Sequence, residues 1–169
     1  LFAKIISNLI NFFYKNKVLV KRNDIYWSLN LNEGIDLSIF LFGKFENSIL
    51  EVAKHLIKNK NIEILDIGSN MGVHSLRLAK IFKNSKIYSI EPTDFTYKKL
   101  LRNISLNNQL KNIKTYQYFI TGKNIKPNKV YSSWELRTQN KKHKKHLGTL
   151  KKTQNSKVKT LDKFIKENK

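Results

Sequence analysis

No other stretch limits the folds open to this chain as strongly as Ile62-Glu63-Ile64-Leu65-Asp66-Ile67-Gly68-Ser69-Asn70-Met71-Gly72-Val73-His74-Ser75. Ile62, Ile64, Leu65 and Ile67 put β-branched and aliphatic bulk into a short run, the pattern of a strand covered on both faces. Gly68 and Gly72 punctuate the turn after it. Beyond Gly72, apolar residues recur at Val73, Leu76, Leu78, Ala79, Ile81 and Phe82, close to helical period. The reading is a strand, a tight turn and a helix start. Such a unit gathers backbone N–H groups and the positive end of a helix at one point. Glycine there lets a ligand reach the main chain without a Cβ in the way.

The next run, Lys86-Ile87-Tyr88-Ser89-Ile90-Glu91-Pro92, reads as a second strand ending in an acid. Glu91 lies about one βαβ unit downstream of the turn, where nucleoside-binding folds hold a carboxylate against ribose hydroxyls. The glycine spacing is not the dinucleotide fingerprint. Asn70 stands where G-x-G-x-x-G needs its second glycine. From the residues alone, the chain is an α/β enzyme that binds a nucleoside-containing cofactor.

The loop Asp66-Ile67-Gly68-Ser69-Asn70-Met71-Gly72 followed by Ile90-Glu91-Pro92 resembles the cofactor loop of class I S-adenosylmethionine (AdoMet) methyltransferases. Other segments extend the likeness. Tyr26-Trp27-Ser28-Leu29-Asn30-Leu31 and Phe42-Gly43-Lys44-Phe45-Glu46 precede the loop. Asn103-Ile104-Ser105-Leu106-Asn107 and Val158-Lys159-Thr160-Leu161-Asp162-Lys163-Phe164-Ile165 follow Pro92. Their order resembles the FkbM family of methyltransferases, over residues 25 to 167.

That resemblance implies an α/β fold, a Rossmann-like class I methyltransferase sheet with helices on both faces. It implies AdoMet as cofactor, held by Asp66, Gly68, Ser69, Asn70, Gly72, His74, Glu91 and Pro92. It adds Glu46, by position a helix-start acid, as a contact to the cofactor's amino end. The implied reaction is O-methylation of a sugar or other small hydroxylated acceptor. Two departures stand out. Ser69 replaces the usual alanine, and Lys169 comes before the family's next strand and its D-x-E-G-type acidic segment. The expectation is therefore an incomplete sheet. Residues 1–45 would form an N-terminal extension of amphipathic helix, strand and short helix, and residues 46–169 the N-terminal part of the AdoMet-binding domain. His74, just inside a helix N-terminus that disfavours its charged form, reads as a cofactor-side or structural residue. No catalytic base is assigned.

At 169 residues the chain fits one domain with a real core. The absence of cysteine excludes disulfides and cysteine metal sites and fits a reducing, cytoplasmic setting. A formal net charge of +21 has two readings. One is a polyanionic partner: RNA, DNA or an anionic membrane. The other, preferred here, is coding bias. Lysine greatly outnumbers arginine, is spread through every segment, and lacks the arginine fork that reads phosphate. The rival functions are an RNA methyltransferase, an NAD-dependent oxidoreductase disfavoured by Asn70, and a non-catalytic AdoMet-binding or basic surface-binding module.

Along the chain, Phe2, Ile5, Ile6, Leu9, Phe12 and Phe13 follow helical spacing, so residues 1–20 read as an amphipathic helix. Lys4, Asn8 and Asn11 interrupt it too often for a transmembrane span. It packs on its own domain or, as the alternative, touches a membrane surface. Ile25, Trp27, Leu29 and Leu31 share one strand face. Residues 33–43 read as a short helix. Phe45 to Asn59 reads as a longer one, with Ile49, Leu50, Val52, Ala53, Leu56 and Ile57 inward. A helix capped by Asp94 runs to Asn107, with Asn103 and Asn107 as surface or capping residues. Lys114 to Thr121 reads as a third strand. Gly122 to Ser156 is a long loop or irregular hairpin with a basic run, Lys141-Lys142-His143-Lys144-Lys145-His146, read as a solvated loop without metal. Residues 158–167 form a strand end or turn leading into a helix.

Overall fold

The computed structural model describes residues 5, 16–58, 61–122, 127–133, 135, 136, 138, 142–145 and 148–168. The amphipathic helix expected at the N-terminus, Ile5 apart, lies outside the described residues as far as residue 15, as do Lys141 and His146 of the basic run. Its last part is corrected. Lys17 to Arg22 forms strand β1, antiparallel to β2 (Ile25–Asn30), with Val18 opposite Leu29 and Val20 opposite Trp27. Asn23 and Asp24 join them at φ of 51° and 55°. Two left-handed residues make the turn whose twist matches a hairpin. The alternation of Lys17-Val18-Leu19-Val20-Lys21 before an Asn-Asp pair was the signal for it.

Ile25, Trp27 and Leu29 point inward with Leu31, as the alternation requires, and join Ile39, Met71, Val73 and Leu76 in one buried cluster. Ile39 comes from α1 (Gly34–Phe42), which stops at Gly43 in the left-handed region. Helix α2 (Asn47–Leu56) is shorter than the expected Phe45 to Asn59.

The central sheet is parallel in the order β3 (Glu63–Ile67), β4 (Lys86–Ile90), β5 (Ile113–Tyr116). Helices α3 (Val73–Ile81) and α4 (Asp94–Ser105) form the two crossovers. Successive residues of β4 show the two layers. Ile87 packs with Leu78, Ala79 and Phe82 of the α3 region, and Tyr88 packs on the other face with Phe164. Phe164 belongs to α5 (Leu161–Asn168) and makes edge contacts with Tyr88, Tyr116 and Tyr118. The fold is thus α/β, with a Rossmann-like parallel sheet and helices on both faces.

The expected third strand is split. Gln117 separates β5 from β6 (Tyr118–Ile120), which leaves the central sheet to pair with β9 (Lys157–Lys159). The segment between them holds an antiparallel pair, β7 (Lys129–Tyr131) and β8 (Leu150–Lys152).

Three further expectations are corrected. Strand β3 is not fully covered on both faces: Leu65 is 37% and Ile67 50% exposed, and among the described residues β3 pairs only with β4. Of the apolar set on α2, Leu50 alone is fully buried, while Ile49, Val52 and Leu56 face outward. Asn103 and Asn107 are not surface residues; both are fully buried, and Asn107 also caps its helix, donating to the Asn103 carbonyl at 2.7 Å. The Asn103 side-chain oxygen accepts from the Ser28 N–H at 2.8 Å, and that of Asn107 from the Tyr26 N–H at 2.9 Å. Their amides donate to the Met71 and Tyr26 carbonyls. Together they bond the open edge of β2 to α4, supplying what a neighbouring strand would.

A buried ion cluster clamps the same two parts. Lys99 of α4 lies 3.0 Å from Glu33 and 2.8 Å from Asp36. Burial, reinforced by the charge of Glu33 and opposed by Lys99, pushes the Asp36 carboxyl up from 3.8 to about 6.

Candidate functional site

The turn after β3 is built from left-handed residues: Gly68 at φ 81°, Asn70 at 50° and Gly72 at 90°. This winding turns its amides inward. Gly68 and Ser69 both donate to the Ile90 carbonyl, at 2.8 and 3.0 Å, and Gly72 donates to the Ser69 carbonyl at 2.8 Å. The Asn70 N–H donates to Glu91 Oε2 at 3.0 Å, and the Met71 N–H to the Asn70 side chain at 2.8 Å. The expected cluster of amides free for a ligand is therefore corrected. From Gly68 to Gly72 every N–H is used within the protein.

Glu91 sits where β4 ends, 3% exposed. Its Oε1 accepts from the Thr93 N–H at 2.9 Å, the Thr93 hydroxyl at 2.7 Å and the Thr96 hydroxyl at 2.6 Å. Among the described residues Oε2 accepts only the Asn70 amide, which leaves it spare acceptor capacity. Four protein donors thus hold the carboxylate in one orientation. Beside it opens a cavity of about 370 Å³ lined by Gly68, Asn70, Glu91, Pro92, Thr93 and the β7 end, Val130 to Ser132. Its volume is within the range of small-molecule sites. It lies at the carboxyl ends of parallel strands, the usual ligand side of an open α/β sheet.

The two glycines differ in purpose. A Cβ on Gly68 would meet nothing within 4 Å. A Cβ on Gly72 would come 2.7 Å from Leu100 Cδ1, so Gly72 lets α3 and α4 pack closely. Asp66 knits the unit together: Ser75 donates to it at 2.5 Å, and Ser89 donates to Ser75 at 2.5 Å. Glu46, left-handed at φ 47°, meets His74 at 3.3 Å. Among the described residues, two buried polar atoms, Ser69 Oγ and His74 Nδ1, lack a hydrogen-bond partner.

The structure therefore brings Gly68, Asn70, Glu91 and Pro92 together at the cavity. It pairs Glu46 with His74 apart from that lining, and it places Asp66, Ser69 and Gly72 within the supporting framework. Sequence reasoning missed Thr93 and Thr96, which hold Glu91, and Val130 to Ser132, which wall the cavity. The Thr-x-x-Thr spacing directly after Glu91-Pro92 was a signal for the first pair. Nothing local marked the second group, which β7 delivers from a distant part of the chain.

No protein-family model and no curated protein matches the chain. Among solved structures it is similar to M. jannaschii TYW2 in complex with AdoMet, at 22% identity and a TM-score of 0.42, over 60% of this chain and 43% of that one. It is also similar to P. horikoshii TYW2 in complex with MeSAdo, at 17% identity and a TM-score of 0.43, over 68% of this chain and 45% of that one. Coclaurine N-methyltransferase bound to N-methylheliamine and SAH gives 16% identity and a TM-score of 0.38, over 43% and 21%. The chain spans less than half the length of each.

Proposed function

We propose that this chain is the AdoMet-binding part of an FkbM-type class I methyltransferase that methylates a hydroxyl of a sugar or other small acceptor. The observation that carries the reading is the pairing of an oriented carboxylate with an amide-free turn. A pyrophosphate at a helix start needs backbone N–H donors; Gly68 to Gly72 offer none, which leaves only the first amides of α3. Ribose hydroxyls need an acceptor, and Glu91, whose carboxylate lines the cavity, has spare acceptor capacity at Oε2. The site therefore favours a nucleoside cofactor without phosphates over NAD.

Ser69, His74 and Glu46 lie outside the lining of this cavity, so the AdoMet reading rests on Glu91 and its neighbours. AdoMet supplies an activated methyl group on a sulfonium. The protein's task is to hold donor and acceptor oxygen aligned, which contributes about 7–11 kcal/mol in well-oriented reactions. Glu91 fixes the ribose, and Gly68 leaves room for the cofactor beside the main chain.

The test is a double cycle with AdoMet and a ribose-deoxy analogue, on the wild type and on Glu91→Gln. The substitution keeps the side-chain volume and removes the charge. Wild type should bind the analogue about ten- to a hundred-fold more weakly, as expected for a hydrogen bond to a charged group. In Glu91→Gln that penalty should shrink several-fold, since the bond loses its charge assistance. Two losses that simply add would remove Glu91 from the ribose and the reading with it.

A further inference from the structure

A second recess, of about 290 Å³, lies between β2 and the exposed side of α4. Lys17, Lys98, Lys99 and Arg102 border it, with Ser28 and Phe95. The acid that also lines it, Glu33, is already bonded by Lys99 and Asn30. Lys17, Lys98 and Arg102, by contrast, bond to no carboxylate among the described residues. Lys98 and Arg102 are four apart on one helix, an arrangement in which like charges repel. Lys17 joins them from the start of β1. All three are exposed, so their mutual repulsion is screened; what they share is a place around one recess.

We propose that this recess binds a phosphate ester. Arg102 presents a planar fork to two phosphate oxygens, Lys17 and Lys98 act as point charges, and the Ser28 hydroxyl adds a neutral donor. The proposal is independent of the AdoMet reading. A phosphate with this chemistry comes either as a monoester on a small molecule or as a diester in RNA.

The 169-residue chain is titrated with glucose 1-phosphate, with glucose as the uncharged control, and with a short single-stranded RNA. The same titrations are run on Lys98→Ala/Arg102→Ala and on Lys83→Ala/Lys111→Ala, a charge-matched pair lining a different cleft. The first variant should lose about ten-fold or more in affinity, and the second less than about two-fold because screened, distant charges contribute little. A selective loss on glucose 1-phosphate assigns a monoester, and one confined to RNA assigns a diester. Equal losses in the two variants would reduce the effect to the diffuse charge of the chain and overturn the proposal. So would binding of neither probe.

Discussion

The turn between β3 and α3 and the outer margin formed by β3 and α2 share strand β3, yet they end in opposite environments. At the turn, the amides from Gly68 to Gly72 and the Glu91 carboxylate are bonded within the protein. At the margin, Ile67 is 50% and Leu56 69% exposed. The difference lies in neighbours. Strand β4 has a partner on each side, whereas β3 pairs on one side only among the described residues. Periodicity determines which face of an element is apolar. It does not determine whether that face is covered, because cover comes from other elements.

The largest expected effect sharpens the contrast between the two glycines at the closed end. Gly72→Ala forces a side chain into a left-handed backbone and into Leu100, and should cost about 3 kcal/mol in urea unfolding. Gly68→Ala has open space and should cost about 1 kcal/mol, while weakening cofactor binding more than stability. If both variants unfold alike, the different roles given to these glycines are wrong.

Next in size is the β2 edge. Asn103→Ala removes partners from the Ser28 N–H and the Met71 carbonyl. The cost should be about 2 kcal/mol, with faster hydrogen exchange at the Ser28 amide. Unchanged exchange there would mean that α4 does not substitute for a strand.

The ion cluster gives a pH dependence of comparable or smaller size. Unfolded, Asp36 ionises near 3.8; folded, burial holds the proton to about 6. Its contribution to stability is therefore highest below pH 3.8 and falls as pH rises to about 6. Asp36→Asn should remove that downward slope from the stability curve. A slope identical to wild type would place the titration elsewhere.

The smallest free-energy change belongs to the open margin. Val52→Lys with Ile67→Lys should alter stability by less than about 0.5 kcal/mol, as exposed positions do. The same pair should lower light scattering markedly, because an apolar strand edge invites association. A large loss of stability would show that these side chains are covered after all.

Much of the closed end was legible in sequence because its determinants are local. The Ile62–Gly72 pattern, the spacing to Glu91 and the alternation at Ile25, Trp27 and Leu29 each report on their own element. The hydrogen bonds of Asn103 and Asn107 were not legible, since their partners lie 75 and 81 residues away. Nor was the inward turn of the amides, which depends on the φ of Asn70 and on where the Ile90 carbonyl lies. The bare margin was misread for the same reason: an apolar residue carries no mark of whether its neighbour is present.

The central claim is that the cavity beside Glu91 takes a phosphate-free nucleoside cofactor. Calorimetric titration of the chain with AdoMet, with its demethylated product and with NAD tests it most directly. The account predicts that AdoMet and the demethylated product bind in preference to NAD, and that Glu91→Gln weakens both. Preferential binding of NAD, or AdoMet binding indifferent to Glu91, would contradict it.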